Sequence, residues 1–118
     1  STADKWKADK EITLIAVKDS DSYDTLEYAS EELRADMDVV CAAVEASGMA
    51  LQYASEELRA DKEIVMAGKG GALEYASDEL RDDKEVVLAA VKDTAYTIEY
   101  ASEKLQADPD VIKASEGK

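Results

Sequence analysis

The tetrad Tyr-Ala-Ser followed by an acidic residue occurs four times in this chain. Its copies begin at Tyr28, Tyr53, Tyr75 and Tyr100, so that successive starts are 25, 22 and 25 residues apart. Internal periods of about 20 to 50 residues are typical of repeat proteins, in which each unit buries its apolar face only against its neighbours. The tetrads therefore predict an array of similar units.

A second recurring feature, an aspartate in the sequence Asp-Lys-Glu or a variant of it, marks where each unit begins. These aspartates are Asp9, Asp36, Asp61, Asp83 and Asp108. They divide the chain into units 9–35, 36–60, 61–82 and 83–107, with partial units 1–8 and 108–118. Trp6 occupies the position that a leucine has before each later aspartate. The partial units are either half-unit caps or parts of a longer array.

Each unit is predicted to contain two helices. The aspartate is a natural N-cap for the first helix, because its carboxylate accepts unpaired backbone N–H groups. An apolar third residue and a small seventh residue follow it, a spacing that lets a neighbouring helix come close. The third residues are Ile12, Val39, Ile64, Val86 and Val111, and the seventh residues are Ala16, Ala43, Gly68, Ala90 and Ser115.

The second helix is indicated by apolar residues at i, i+3 and i+7, as in Leu51, Ala54 and Leu58. The serine of the tetrad could instead cap a separate final turn, so this segment is either one helix or a helix followed by a short third one. Gly and Pro together number only six. We therefore expect one all-α domain over residues 1–118, an αα-solenoid of four short two-helix repeats with half-repeat ends, whose handedness stays open.

Two units depart from the pattern. The third unit is three residues shorter, and the loss falls in Met66-Ala67-Gly68-Lys69-Gly70-Gly71. Because glycine weakens helices, its first helix is predicted to end early, with a kink or notch. The first unit is two residues longer and carries the polar insert 19–24.

The charge balance limits the possible partners. With 14 basic and 28 acidic residues the net charge is −14, which disfavours nucleic acid and anionic lipid. No apolar stretch approaches the length of about 18 residues that a membrane span needs, so we expect a soluble protein without membrane insertion. The sequence does not indicate a cellular compartment.

Catalytic chemistry has little support in this sequence. There is no histidine to activate a nucleophile, and Cys41 lies in an alanine- and valine-rich run typical of a small buried residue. We expect no enzyme, no cofactor and no metal site. Asp19, Asp21 and Asp24 offer oxygen ligands, but an EF-hand would need glycine at Asp24 and glutamate at Ser30. A low-affinity calcium buffer is therefore only the alternative function.

The two halves of the unit are clearest in Asp83 to Lys92 and in Leu51 to Arg59. From about Ala8 to Ala114 the chain resembles a tandem-repeat family called domain of unknown function 4116. The resemblance implies a helical repeat array and no catalytic residues or ligand. The third unit departs from the family pattern, because glycines replace its Ala-Val and turn.

These observations favour a non-enzymatic protein–protein interaction or scaffold module, or an accessory subunit of a larger assembly, whose partner carries a basic or apolar docking segment. Four aligned tyrosines would suit such docking if exposed, and would wedge units together if buried. The candidate partner-binding residues are Tyr28, Tyr53, Tyr75, Tyr100, Gly68, Lys69, Gly70, Gly71 and Trp6.

Overall fold

The computed structural model describes residues 2–19 and 23–116, except for the side chains of residues 2–4, 6, 19 and 23–25. The α-helices are α1 (Thr2–Asp19), α2 (Glu31–Arg34), α3 (Met37–Ala46), α4 (Glu56–Arg59), α5 (Lys62–Leu73), α6 (Asp78–Arg81), α7 (Lys84–Asp93), α8 (Glu103–Gln106) and α9 (Pro109–Glu116). Three 3-10 helices, η1 (Tyr23–Tyr28), η2 (Gly48–Tyr53) and η3 (Ala95–Tyr100), complete the secondary structure. These ranges contain no strand, and the predicted all-α class is confirmed.

Each regular unit consists of a long helix, a 3-10 helix and a short helix. The aspartate caps the long helix as predicted: the carboxylate of Asp83 accepts the Val86 N–H at 3.1 Å. The serine of the tetrad caps the short helix, since Ser55 Oγ accepts the Leu58 N–H at 3.3 Å. The second predicted helix is therefore a 3-10 helix followed by a separate short helix, the second of the two alternatives.

The long helices stack in series, with α3 packed on α1, α5 on α3, α7 on α5 and α9 on α7. The 3-10 helices lie against this layer, and the apolar residues between them form one core. The Cα extents are 55 × 25 × 17 Å, which shows that the stack is elongated. This serial order is the one expected of the predicted solenoid. None of the described helices is long and apolar enough to cross a membrane.

The first long helix differs from the others. Helix α1 runs unbroken through Asp9, so this aspartate lies inside a helix instead of capping one. Residues 2–8 extend α1 and form no separate short helix. The sequence gives a reason, since Ala3 stands six residues before Asp9, where later units have the serine that caps their short helix.

The third unit contains the predicted kink. Lys69 inside α5 has φ 52° and ψ −136°, so the regular helix ends after Gly68. A lysine with positive φ is strained, and the flanking glycines accommodate the sharp change of direction. The helix resumes after the kink and ends at Leu73, over positions that form a 3-10 helix in the other units.

Candidate functional site

The tetrads form the junctions between consecutive units. At each internal junction the backbone N–H of the tetrad's serine donates to the carbonyl of the arginine that ends the preceding short helix. These bonds join Ser55 to Arg34 (3.1 Å), Ser77 to Arg59 (3.0 Å) and Ser102 to Arg81 (2.9 Å). The tetrad serine thus caps its own helix through Oγ and ties it to the previous unit through its N–H.

The four tyrosines do not share one environment. Tyr53, Tyr75 and Tyr100 are half-buried and pack against the core. Tyr28 is 82% exposed. Burial is the first cause that raises the pKa of the Tyr100 hydroxyl, and the carboxylates of Glu74 and Glu99 raise it further. Three of the four tyrosines therefore pack internally, as in the second alternative, and Tyr28 is exposed, as in the first.

A row of surface grooves follows the junctions. The groove at the α1 end, about 250 Å³, is lined by Asp9, Ile12, Thr13, Tyr28, Ala29, Ser30 and Leu33. The next, about 600 Å³, is lined by Glu31, Arg34, Ala35, Tyr53, Ala54, Ser55 and Glu56. The third and fourth, about 330 and 310 Å³, contain Ser77 and Ser102 with the residues around them. The repeat thus creates similar grooves at regular intervals.

Arginine side chains line three of these grooves. Arg59 Nε donates to the Tyr75 carbonyl at 2.8 Å. The corresponding Nε atoms of Arg34 and Arg81 are buried and have no hydrogen-bond partner among the described residues. The three junctions therefore share a backbone bond but differ in how their arginine is held.

Lysine–carboxylate pairs connect the long helices. Each lysine follows the first aspartate of its own unit and reaches two acidic residues at the start of the next. The pairs are Lys10 with Asp36 (3.1 Å) and Asp38 (2.9 Å), Lys62 with Asp83 (3.1 Å) and Glu85 (2.7 Å), and Lys84 with Asp108 (3.2 Å) and Asp110 (2.7 Å). Met37 occupies the lysine position in the second unit and breaks the series.

In the third and fourth units these pairs shift the pKa of the lysine and that of the aspartate that caps the next long helix. Hydrogen bonds to two carboxylates raise the pKa of Lys62 and of Lys84. Burial alone would raise the pKa of Asp83, but the Val86 N–H and Lys62 outweigh it, so that the pKa of Asp83 is lowered. The pKa of Asp108 is lowered in the same way, against the effect of burial, by Lys84 and by backbone N–H groups. The repeated Asp-Lys-Glu is the sequence signal for this series, because its lysine and acidic residues are the partners in the pairs.

The glycine segment is used for close packing inside the array. A Cβ on Gly48 would lie 2.3 Å from the Gly68 carbonyl oxygen, and one on Gly70 would lie 2.7 Å from the Thr94 side chain. The Gly70 N–H also donates to the Asp93 carboxylate at 3.4 Å. Gly68 and Gly70 are buried, so that Lys69 is the most exposed member of this candidate set.

Cys41, Trp6 and the insert 19–24 are the other residues that the sequence singles out. Cys41 is half-buried instead of fully buried, and burial is the first cause that raises the pKa of its thiol. No group of three or more potential metal ligands occurs in the part of the chain that the structure describes. The side chain of Trp6 and those of the insert 19–24 lie outside the described residues, so the calcium alternative stays a prediction.

Stacked units, capped by aspartate and joined through the tetrad, define a helical-repeat array. The family model described as domain of unknown function (DUF4116) matches residues 36–67 and 69–114, more than half of the chain, and the chain belongs to this family. No curated protein and no solved structure matches it. The matched segments cover less of the chain than the expected resemblance from Ala8 to Ala114. They omit the first unit and are interrupted at Gly68, where the array departs from regularity.

Proposed function

We propose that the chain is a non-enzymatic interaction module that binds an extended, basic segment of a partner protein along the row of junction grooves. In this role it acts as a scaffold or as an accessory subunit of a larger assembly. The observation that carries the proposal is the repetition of similar grooves, each beside a tetrad, along one elongated molecule.

The charge of the grooves favours a basic partner, because each groove has one more acidic than basic residue in its lining even where an arginine is present. The first residue of each short helix is an exposed acid that lines one or two of the last three grooves. These residues are Glu31, Glu56, Asp78 and Glu103. Since the whole chain has a net charge of −14, its field also attracts a cationic segment before contact is made.

The repeat suggests a spacing for the partner's basic residues. Neighbouring packed helices lie about 8–10 Å apart, and an extended chain advances about 3.3 Å per residue. A lysine or arginine at every third position would therefore meet one carboxylate per unit. Between them, small or apolar side chains would contact the half-exposed tyrosine rings.

Peptide binding tests this proposal directly. The probe is a fluorescein-labelled peptide of about 15 residues, long enough for four units at this spacing, with lysine at every third position and alanine elsewhere. Its control has the same composition with the lysines clustered. We expect fluorescence anisotropy to show several-fold tighter binding of the spaced peptide at physiological salt. Equal affinities would mean that net charge alone attracts the peptide, and would contradict the proposal.

Matched charge reversals localise the site. Glu56 lines two grooves, whereas Glu63 is an exposed acid in the first turn of α5, on the other layer. Both substitutions, Glu56→Lys and Glu63→Lys, change the net charge equally and at similar helix positions. Only Glu56→Lys is expected to weaken binding of the spaced peptide by several-fold. Equal losses of affinity in both variants would mean that the peptide does not bind in the grooves.

A further inference from the structure

The last residue of each short helix stands at one equivalent position of the repeat. Three of these residues, Arg34, Arg59 and Arg81, are all the arginines of the chain, and the fourth is Gln106. Each arginine lines one or two of the junction grooves. Because the position is the same in every unit, differences in the bonds of these side chains show which groove holds an unsatisfied donor.

In two units the side chain at this position donates to main-chain carbonyls. Arg59 Nε donates to the Tyr75 carbonyl at 2.8 Å. Gln106 Nε2 donates to the carbonyls of Glu99 and Ala101, at 3.1 and 2.9 Å. The repeat therefore uses this position to bind backbone oxygens, with either of two different donor groups.

Arg34 is the member of the series whose side chain has no partner. With the residues that the structure describes, this side chain forms no hydrogen bond and no ion pair, and its Nε is buried. Arg81 Nε is buried without a partner too, but a terminal nitrogen of Arg81 pairs with the Asp78 carboxylate. Arg59 is held by the following unit and Arg81 by its own helix, so neither relies on a preceding unit. A donor of the repeat is thus left open at Arg34.

The groove beside Arg34 suits a peptide main chain. Its volume is about 600 Å³, whereas the other two grooves that arginine lines have about 330 and 310 Å³. Glu31 and Glu56 line it as well, so a ligand carboxylate would face two like charges, whereas a neutral carbonyl would not. An extended segment presents its backbone groups on both sides along its length. A carbonyl of such a segment is therefore the acceptor that fits this groove.

We propose that Arg34 donates to a main-chain carbonyl of the partner's extended segment, the class of acceptor that Arg59 and Gln106 bind within the chain. The inference rests on the proposed function and adds to it a contact that does not depend on the partner's side chains. Basic side chains select the partner by charge, while Arg34 fixes where its backbone lies in the groove. Because the Arg34 side chain has no acceptor among the described residues of the free chain, this bond is gained on binding and replaces none of theirs.

A charge-conserving substitution tests the role of Arg34. Arg34→Lys keeps the charge but removes Nε and the planar guanidinium. We expect it to weaken binding of the spaced lysine peptide roughly tenfold, the effect of losing one hydrogen bond from a charged group. It is expected to leave the urea midpoint of unfolding unchanged, since no bond within the described part of the chain is lost.

The matched control is Arg59→Lys, the same substitution at the equivalent position. It is expected to lower the urea midpoint, because the Tyr75 carbonyl loses its donor. Its affinity for the spaced peptide is expected to stay within about twofold of the wild type, because Arg59 Nε is already occupied. Equal losses of affinity in Arg34→Lys and Arg59→Lys would overturn the proposal.

Removal of the charge at Arg34 separates the hydrogen bond from electrostatics. Arg34→Met makes the groove more acidic, so charge alone would tighten binding of a lysine peptide. The proposal predicts weaker binding, because the donor is lost. Tighter binding by Arg34→Met than by the wild type would contradict it.

Ester-containing peptides identify the acceptor. In variants of the spaced peptide one amide at a time is replaced by an ester, whose carbonyl is a weaker hydrogen-bond acceptor. At one position the ester is expected to weaken binding to the wild type several-fold and to leave binding to Arg34→Lys unchanged, since that variant has already lost the bond. The absence of any such position, or equal losses in both proteins, would overturn the proposal.

Failure of this inference is distinguishable from failure of the proposed function. If the spaced peptide binds better than the clustered one but Arg34→Lys retains the wild-type affinity, the grooves remain the site and the role of Arg34 is wrong. If the two peptides bind equally well, both proposals are wrong. A spaced peptide with one alanine replaced by glutamate that binds more tightly to the wild type, but not to Arg34→Lys, would mean that Arg34 binds a carboxylate. That result would overturn the inference as well.

Discussion

At the internal junctions each tetrad has its alanine buried and its tyrosine half-buried, whereas in the first unit the alanine is less buried and the tyrosine is exposed. Ala54, Ala76 and Ala101 are 8, 5 and 6% exposed, while Ala29 is only half-buried and Tyr28 is 82% exposed. Yet the serine of the first tetrad still caps its helix, since Ser30 Oγ accepts the Leu33 N–H at 3.2 Å. The comparison separates two roles of the tetrad: helix capping is local, whereas burial requires a preceding unit.

The same separation applies to the long helices. An apolar residue three positions after the aspartate is buried where a separate short helix precedes that aspartate, and it is exposed on α1. In repeat proteins, stability is approximately the sum of the unit terms and the junction terms. Substitutions at equivalent positions of the first and later units therefore measure the junction contribution alone.

The largest expected contrast uses one substitution at two equivalent positions. Ile64 is 1% exposed and Ile12 is 66% exposed. Ile64→Ala is expected to lower the free energy of unfolding by about 2–5 kcal/mol because it leaves a cavity. Ile12→Ala removes a side chain already in water and is expected to change it by less than about 0.5 kcal/mol. Urea unfolding measures both, and similar losses would contradict the open end.

A smaller loss is expected at the glycine contact between the second and third units. Gly48→Ala places a Cβ 2.3 Å from the Gly68 carbonyl oxygen, a backbone atom that cannot rotate away. We expect a loss of about 1–3 kcal/mol from overpacking. The matched control is Ala95→Val, since Ala95 is exposed at the equivalent start of η3 and can accept a larger side chain. Equal thermal unfolding midpoints in the two variants would contradict a close contact between Gly48 and the Gly68 carbonyl.

Stability in acid should depend on the carboxylate of Asp83. The pKa of Asp83 is lowered in the folded state. Its contribution is therefore complete above the ordinary carboxylate pKa of about 3.9 and is lost as the pH falls through the lowered value. Asn is an equally good cap, so Asp83→Asn removes the charge alone and is expected to flatten the loss of stability below about pH 4.

The control for this pH dependence is Asp9→Asn, inside α1. This variant is expected to keep the wild-type slope in urea midpoints measured from about pH 2 to 6, the range over which carboxylates titrate. Equal slopes in the wild type and both variants would contradict the assignment of the acid-sensitive term to Asp83.

The smallest effect concerns the interrupted lysine series. Met37 is 44% exposed at the position where other units have a paired lysine. Met37→Lys would place a cation near Asp61 and Glu63 and is expected to stabilise the chain by about 0.3–0.5 kcal/mol. The gain should disappear at about 1 M salt, where the Debye length is about 3 Å. A gain that survives high salt would point to a cause other than the ion pair.

Much of this fold follows from residues with strong local preferences. Aspartate and serine caps are visible in the sequence because their side chains bind the first turn of the helix that follows them. The kink at Lys69 was predictable for the same kind of reason, since a run of glycines cannot hold a regular helix.

The features that could not be predicted are non-local. The bond from the Ser55 N–H to the Arg34 carbonyl joins two backbone groups, which leave no trace in side-chain identity. The exposure of Tyr28 could not be read from its tetrad, because the four copies are alike and only their neighbours differ. The unbroken α1 does not follow from Asp9, which resembles the capping aspartates in its local sequence; the sequence difference is Ala3 at the position of the capping serine.

Amide hydrogen exchange at the four tetrad serines tests the central claim most directly, namely that the tetrad is a junction and that the first junction is open. The N–H groups of Ser55, Ser77 and Ser102 donate across junctions, whereas Ser30 has no such bond in the described part of the chain. We predict that the three internal amides exchange only through openings close to global unfolding, while the Ser30 amide exchanges near its unprotected rate. Equal protection of all four amides would contradict the account.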